Sequence, residues 1–135
     1  YNHKYIPRTG EAFQDPNLTN STNYRAIRFS DVLLLAAEAY NATGNDAKAQ
    51  EYVNRVRTRA GLSDLVTTAG SLEQDIQQER RLELAGEGHR FFDLVRRGEA
   101  AAKIPGFIVG THELFPIPLV EIEVAGNIWA QNPGY

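Results

Sequence analysis

The chain has 135 residues, 42% of them hydrophobic and 23% charged, with a net charge of −3, the balance of one globular domain with a modest core. That mildly acidic total gives no electrostatic case for nucleic acid, which favours a basic stripe, and no apolar run reaches the ~18–20 residues that cross a bilayer. Cysteine is absent, which excludes disulfides, thiolate nucleophiles, thiolate metal sites and a lipid-modified cysteine within these residues.

The first 27 residues read as an irregular lead-in. Pro7, Gly10, Pro16 and "NLTNSTN" (17–23) are turn and loop chemistry, and "HKYI" (3–6) is the one candidate for a short strand. The opening "YNHKYIPRTG" carries neither an initiator Met nor a basic-then-apolar signal segment, so the chain is expected to be a segment of something longer. Residues 28–135 form the expected helical domain.

From 28 to 43, "RFSDVLLLAAEAYNAT" is apolar on nearly every face, with Asp31, Glu38 and Asn41 as its only polar stripe. An all-round apolar helix is a buried one. Gly44 closes it, and Asn45 or Asp46 caps the next helix, about 46–60. There Ala49, Val53, Val56 and Ala60 recur at spacings of four, three and four, an amphipathic stripe. Gly61 ends it.

These two helices predict an antiparallel hairpin whose spacing resembles a tetratricopeptide repeat. With Tyr40 as the mid-helix aromatic, Leu33, Ala36, Ala37, Gly44, Ala49, Val53 and Val56 fall on the other consensus places. Ala37 and Ala49 supply the small side chains that close helix crossing requires. Gly61 stands where the repeat usually ends in proline. One hairpin cannot bury both its faces, so either further repeats or other elements must cover the second one.

A third helix starts after "TTAG" (67–70), with Ser71 and Gln74 as a capping-box pair, and runs to about Ala85 or Glu87. Gly86 and Gly88 interrupt it. A shorter helix follows over 89–97 and stops at Gly98. The tail, "HELFPIPLVEIEVAGNIWAQNPGY" (112–135), is expected to be extended around Phe115-Pro116-Ile117-Pro118, with a helical turn near 119–124 and a type II turn at Pro133-Gly134.

The charged stretch 79–99 raises the question of chemistry. Asp75, Glu79, Glu83 and Glu87 recur every four residues and line one drifting helix face. Acid/base catalysis by two carboxylates needs them across a cleft in different environments, which one helix face does not provide. Ile76, Arg80 and Leu84 share a stripe that ought to be apolar, which implies a semi-buried guanidinium with a carboxylate partner. The stretch is therefore read as a brace in which Arg80, Arg81 and Arg90 meet Glu79, Glu83, Glu87 and Asp93, with the Gly86–Gly88 pair permitting a bend.

His89 and Asp93, one turn apart, form either a hydrogen-bonded pair or half of a metal site, but His3, His89 and His112 lack metal-ligand spacing. Phe91, Phe92, Leu94 and Val95 read as core. Trp129, the only tryptophan, either stacks on a sugar ring or plugs a groove between helices. There is no GxSxG, no phosphate-cradling glycine loop and no Asp-rich calcium loop. No catalytic residue, metal ligand or cofactor site is assigned.

Several signatures in order carry a resemblance: "RFSDVLLLAAEAYNATG" (28–44), "NRVRTRAGL" (54–62), "ERRLELAGEGHRFFDLVRRG" (79–98), "LFPIPLVEI" (114–122) and "QNPGY" (131–135). Together, over about residues 24 to 135, they resemble the carboxy-terminal part of the SusD/RagB family of outer-membrane nutrient-binding proteins. Gly86 stands where that family often has a bulky apolar residue, and Arg97 where it often has Trp. The resemblance implies an all-α fold: tetratricopeptide-like hairpin, further helices and a loop-rich tail. It also implies a surface-exposed outer-membrane lipoprotein of a Gram-negative bacterium, anchored by a lipid outside this chain.

Such proteins capture oligosaccharides or other nutrients for a SusC-like TonB-dependent transporter without cleaving them, so no enzymatic activity and no cofactor are expected. Sugar contacts in the family vary between members and lie mostly upstream, so no ligand-binding residue carries over to a number here. The competing reading is a tetratricopeptide-like scaffold that binds protein, and a third is a carboxylate-dependent glycoside hydrolase.

Overall fold

The structure is a computed structural model that describes Lys4, residues 25–67 and residues 70–135. Six helices and no strand occur among the described residues: α1 Phe29–Ala42, α2 Asp46–Arg59, α3 Leu72–Glu83, α4 His89–Arg96, α5 Ala100–Lys103 and α6 Leu119–Val124. The all-α expectation holds, and five of the six helices lie where the sequence pattern puts them. The short α5 is the addition; four residues of "AAAK" are too few to show a period. The candidate strand at 3–6 falls outside the described residues except for Lys4, which sits in a turn.

The chain divides into two compact units, one ending at Gly88 and the other running from His89 to Tyr135. In the first, α1 and α2 form the hairpin. Gly44 adopts φ 80°, and the reversal is closed by hydrogen bonds from Asn45 N to Tyr40 O at 2.8 Å and from Gly44 N to Asn41 O at 3.0 Å, the pairing of a Schellman motif. Asn45 then caps α2, its side chain accepting from Lys48 N at 3.2 Å. Ala37 and Ala49 are both fully buried where the helices cross, and Tyr40 stacks on Tyr52 with ring centroids 5.6 Å apart. Leu33, Leu34, Val53 and Val56 fill the hairpin's inner face, and Leu72 and Ile76 of α3 complete the core.

Two local expectations are corrected. Ser71 makes no side-chain cap bond at the start of α3; its hydroxyl instead points to Asp75 Oδ2 at 3.4 Å, which also accepts from Thr67 Oγ1 at 3.0 Å. Nor is α1 buried all round. Phe29, Val32 and Leu35 are exposed, while Asp31 of the supposed polar stripe is buried. The helix is turned so that Asp31 faces inward together with Leu33, Leu34 and Ala37.

The second unit packs around Phe91, whose ring lies 5.8 Å from Phe115 and 6.4 Å from Phe107. Leu94 is buried, but Phe92, expected in the core, is largely exposed. The terminal residues hold the extended segment in place. Gln131 presents its amide to Ile117 as a strand would, accepting from Ile117 N at 2.7 Å and donating to Ile117 O at 2.8 Å. Asn132 Nδ2 donates to Phe115 O at 2.6 Å and the Tyr135 hydroxyl to Leu114 O at 2.9 Å. Gly134 at φ 90° permits the Pro133-Gly134 turn, closed by Tyr135 N to Asn132 O at 3.3 Å.

Candidate functional site

The acidic face of α3 is met by cations, as the brace reading expects, but by different ones. Arg80 Nη1 donates to Asp31 Oδ1 of α1 at 2.8 Å, with Arg80 4% and Asp31 7% exposed. Arg57 of α2 pairs with Glu79 at 2.8 Å. Arg28, just ahead of α1, reaches both Glu83 (Nη1 to Oε1, 2.9 Å) and Glu87 (Nε to Oε2, 2.6 Å; Nη2 to Oε1, 2.7 Å). Arg59 also pairs with Glu83, and Lys4 with Glu87. The partners of Glu79, Glu83 and Glu87 among the described residues thus come from Lys4, the lead into α1 and the end of α2.

Arg81 and Arg90 are not among those partners, and Arg81 is exposed. The reason is geometric. Arg81 follows Glu79 and precedes Glu83 by two residues, so it points around the helix rather than along the acidic face. Asp93 belongs to the second unit and accepts from Arg96 Nη2 at 2.9 Å. Gly86 and Gly88, at φ 79° and 83°, end α3 in a backbone region that side-chain-bearing residues rarely adopt.

The electrostatics follow from this pairing. Burial pushes the Glu83 carboxyl up, but hydrogen bonds from Arg28 and Arg59 outweigh it and hold the group below its ordinary value. Ser30 lies close enough to help lower it, although its buried hydroxyl falls outside hydrogen-bond geometry. Glu87 behaves alike, raised by burial and lowered further by Arg28 and Lys4. The Arg28 guanidinium is held above its usual value, chiefly by the hydrogen bond to Glu87. A general acid needs a raised pKa and a reachable proton. These two carboxylates have the opposite shift and spend their oxygens on guanidinium groups.

Among the described residues no group of three or more His, Asp or Glu side chains is placed to hold a metal. His89 and Asp93 are no exception, and His112 uses Nδ1 to accept from Ile108 N at 3.1 Å. Trp129 is about half exposed. An open pocket of about 570 Å³ lies beside the start of α1, with Ile27, Phe29 and Leu33 on its apolar side and Arg25, Arg55 and Arg59 around it. Sequence reasoning did not single it out, because Arg25, Phe29 and Arg55 come together only in the folded hairpin.

The described residues define the class of all-α proteins built on a tetratricopeptide-like hairpin, here with its helices joined to α3 by ion pairs. Comparison with known proteins gives the family. The model of the SusD family matches residues 1–109, and the chain belongs to that family. The "SusD-like protein P2" of Formosa agariphila is 33% identical across 86% of this chain. A SusD homolog from Bacteroides thetaiotaomicron superposes with a TM-score of 0.74 at 37% identity, and a SusD-like protein from Bacteroides fragilis with 0.72 at 30%, each over 84% of this chain. The chain spans about a quarter of the length of these relatives, 26% in each case. No helix among the described residues is long and apolar enough to cross a membrane.

Proposed function

We propose that this chain is the carboxy-terminal helical part of a glycan-binding, surface-exposed lipoprotein of the Gram-negative outer membrane. The complete protein captures oligosaccharides or other nutrients and passes them uncleaved to a SusC-like TonB-dependent transporter. Residues 1–27 lead into the helical portion, 28–135. The observation that carries the reading is family membership across most of the chain, beside a scaffold in which Glu79, Glu83 and Glu87 are ion-paired. The chain's role is then to build a wall of the binding protein, with sugar contacts supplied by other segments.

Incubating the longer protein with oligosaccharides tests this. Saturable binding with no new reducing ends is the expected result, whereas turnover would replace the reading with a hydrolase. A second reading, a scaffold that binds protein, is favoured by the exposed apolar side of α1. Binding of a polypeptide with no binding of any glycan would select it.

A further inference from the structure

In the second unit the turn 108–112 and the last residues of the chain meet at one half-buried side chain, His112. Ile108 O accepts from His112 N at 2.9 Å, and the imidazole folds back to accept from Ile108 N at Nδ1, 3.1 Å away. Its ring stands perpendicular to Phe107 at 5.7 Å between centroids and tilts onto Tyr135 at 6.5 Å. The approach of the tail is close: a Cβ at Gly134 would lie 2.5 Å from Thr111 Oγ1. From there Tyr135, Asn132 and Gln131 hold the backbone of Leu114, Phe115 and Ile117.

This bond fixes the protonation state of the ring. A neutral imidazole has one donor and one acceptor nitrogen, whereas both nitrogens of the imidazolium are donors. Nδ1 therefore accepts from Ile108 only while the ring is neutral; a second proton sets one N–H against another. Nothing beside the ring offsets the charge. The turn itself contributes Glu113, whose Oε2 accepts from Gly110 N at 2.8 Å, and the tail contributes Tyr135, whose phenol donates to Leu114 O at 2.9 Å. The Phe107 side, 104–111, carries no charged residue, and among the described residues no carboxylate lies within ion-pair distance of the imidazole.

We propose that His112 is an acid-sensitive latch: neutral, it holds the turn 108–112 against Gly134 and Tyr135; protonated, it releases Ile108 and loosens the clasp that the tail places on residues 114–117. Histidine ordinarily changes charge between about pH 5 and pH 8, so the latch is shut at the upper end of that range and opens as pH falls through it. Phe115 packs against Phe91 at 5.8 Å, so the loosening reaches the aromatic centre of the second unit. The proposal goes beyond glycan capture and does not rest on it, and its test needs no glycan.

Hydrogen exchange of the longer protein, followed by mass spectrometry at about pH 8 and about pH 5 with times scaled for the intrinsic rate, reads the latch directly. Peptides covering 107–115 and 130–135 are expected to lose at least about tenfold in protection at the lower pH, while those of the α1–α2 hairpin hold theirs. His112→Asn places an acceptor oxygen where Nδ1 stands and does not titrate, so it should keep both peptides protected at both pH values. His112→Phe has no acceptor and should leave them open at both, and His89→Asn should respond as the unaltered protein does. Equal protection of the unaltered protein at the two pH values overturns the proposal. So does a loss of the same size in His112→Asn, or full protection in His112→Phe at the higher pH.

Discussion

Replacing Arg80 by alanine isolates the ion pair that ties α1 to α3. The Asp31 carboxylate would stay in place, 7% exposed, with its guanidinium partner gone. Removing one partner of a buried pair costs about 3–5 kcal/mol, because a charge is left without compensation. Asp31 lies in the first turn of α1, where the helix N-terminus returns roughly 0.3–1 kcal/mol to a negative charge. The net expectation is a loss of about 3 kcal/mol.

With a urea slope of ~2 kcal/mol/M for a chain of this size, the midpoint falls by about 1.5 M. The control is the pair Asp31→Ala with Arg80→Ala. Removing both partners also removes the stranded charge, so the double variant should be more stable than Arg80→Ala alone. A loss below about 1 kcal/mol for the single variant, or a double variant whose loss is the sum of the two singles, refutes the buried-pair account. The cluster would then be solvated.

Three further outcomes follow from the same geometry. Arg28→Ala removes the forked contact to Glu87 and the bond to Glu83, but Lys4 and Arg59 remain, so the loss in a thermal melt should be smaller, about 2 kcal/mol. Glu83 and Glu87 titrate below their ordinary value of 4.5 when folded. The stability they supply is therefore full above pH 4.5 and drains as pH falls from there through the folded values; Glu83→Gln with Glu87→Gln should be less stable at pH 7 yet change less between pH 6 and pH 3. Gln131→Ala, which frees both backbone groups of Ile117, should cost about 1–2 kcal/mol and speed amide exchange at Ile117 before the hairpin opens.

Helix existence was legible because it rests on short-range signals. Gly44 and Gly61 mark stops, Ala37 and Ala49 mark the crossing, and the Val53/Val56 stripe shows the inward face. The buried guanidinium of Arg80 was legible too, since a charge between Ile76 and Leu84 on an otherwise apolar stripe demands a partner. Its partner was not. Asp31 is 49 positions away, and one-dimensional spacing favours near neighbours such as Glu83. The same bias assigned Arg81 and Arg90 to the acidic face, when Arg28, Arg57 and Arg59 from the hairpin reach it. Gln131 and Asn132 were visible only as part of a family signature; that they clamp Phe115 and Ile117 depends on a tertiary approach no local pattern encodes.

The orientation of α1 connects these findings. A helix with one polar stripe and apolar residues elsewhere would ordinarily turn the stripe to water. Here Asp31 is turned onto Arg80, while Glu79 and Glu83 of α3 are met by Arg28, Arg57 and Arg59, so the start of that stripe lies on the inner side. What remains for the outside is Phe29, Val32 and Leu35. Burying charge in matched pairs is seldom more stable than burying hydrocarbon, so the arrangement is not explained by the stability of this hairpin alone. What it supplies is register: the buried Asp31–Arg80 pair fixes α1 against α3 at one position along both helices.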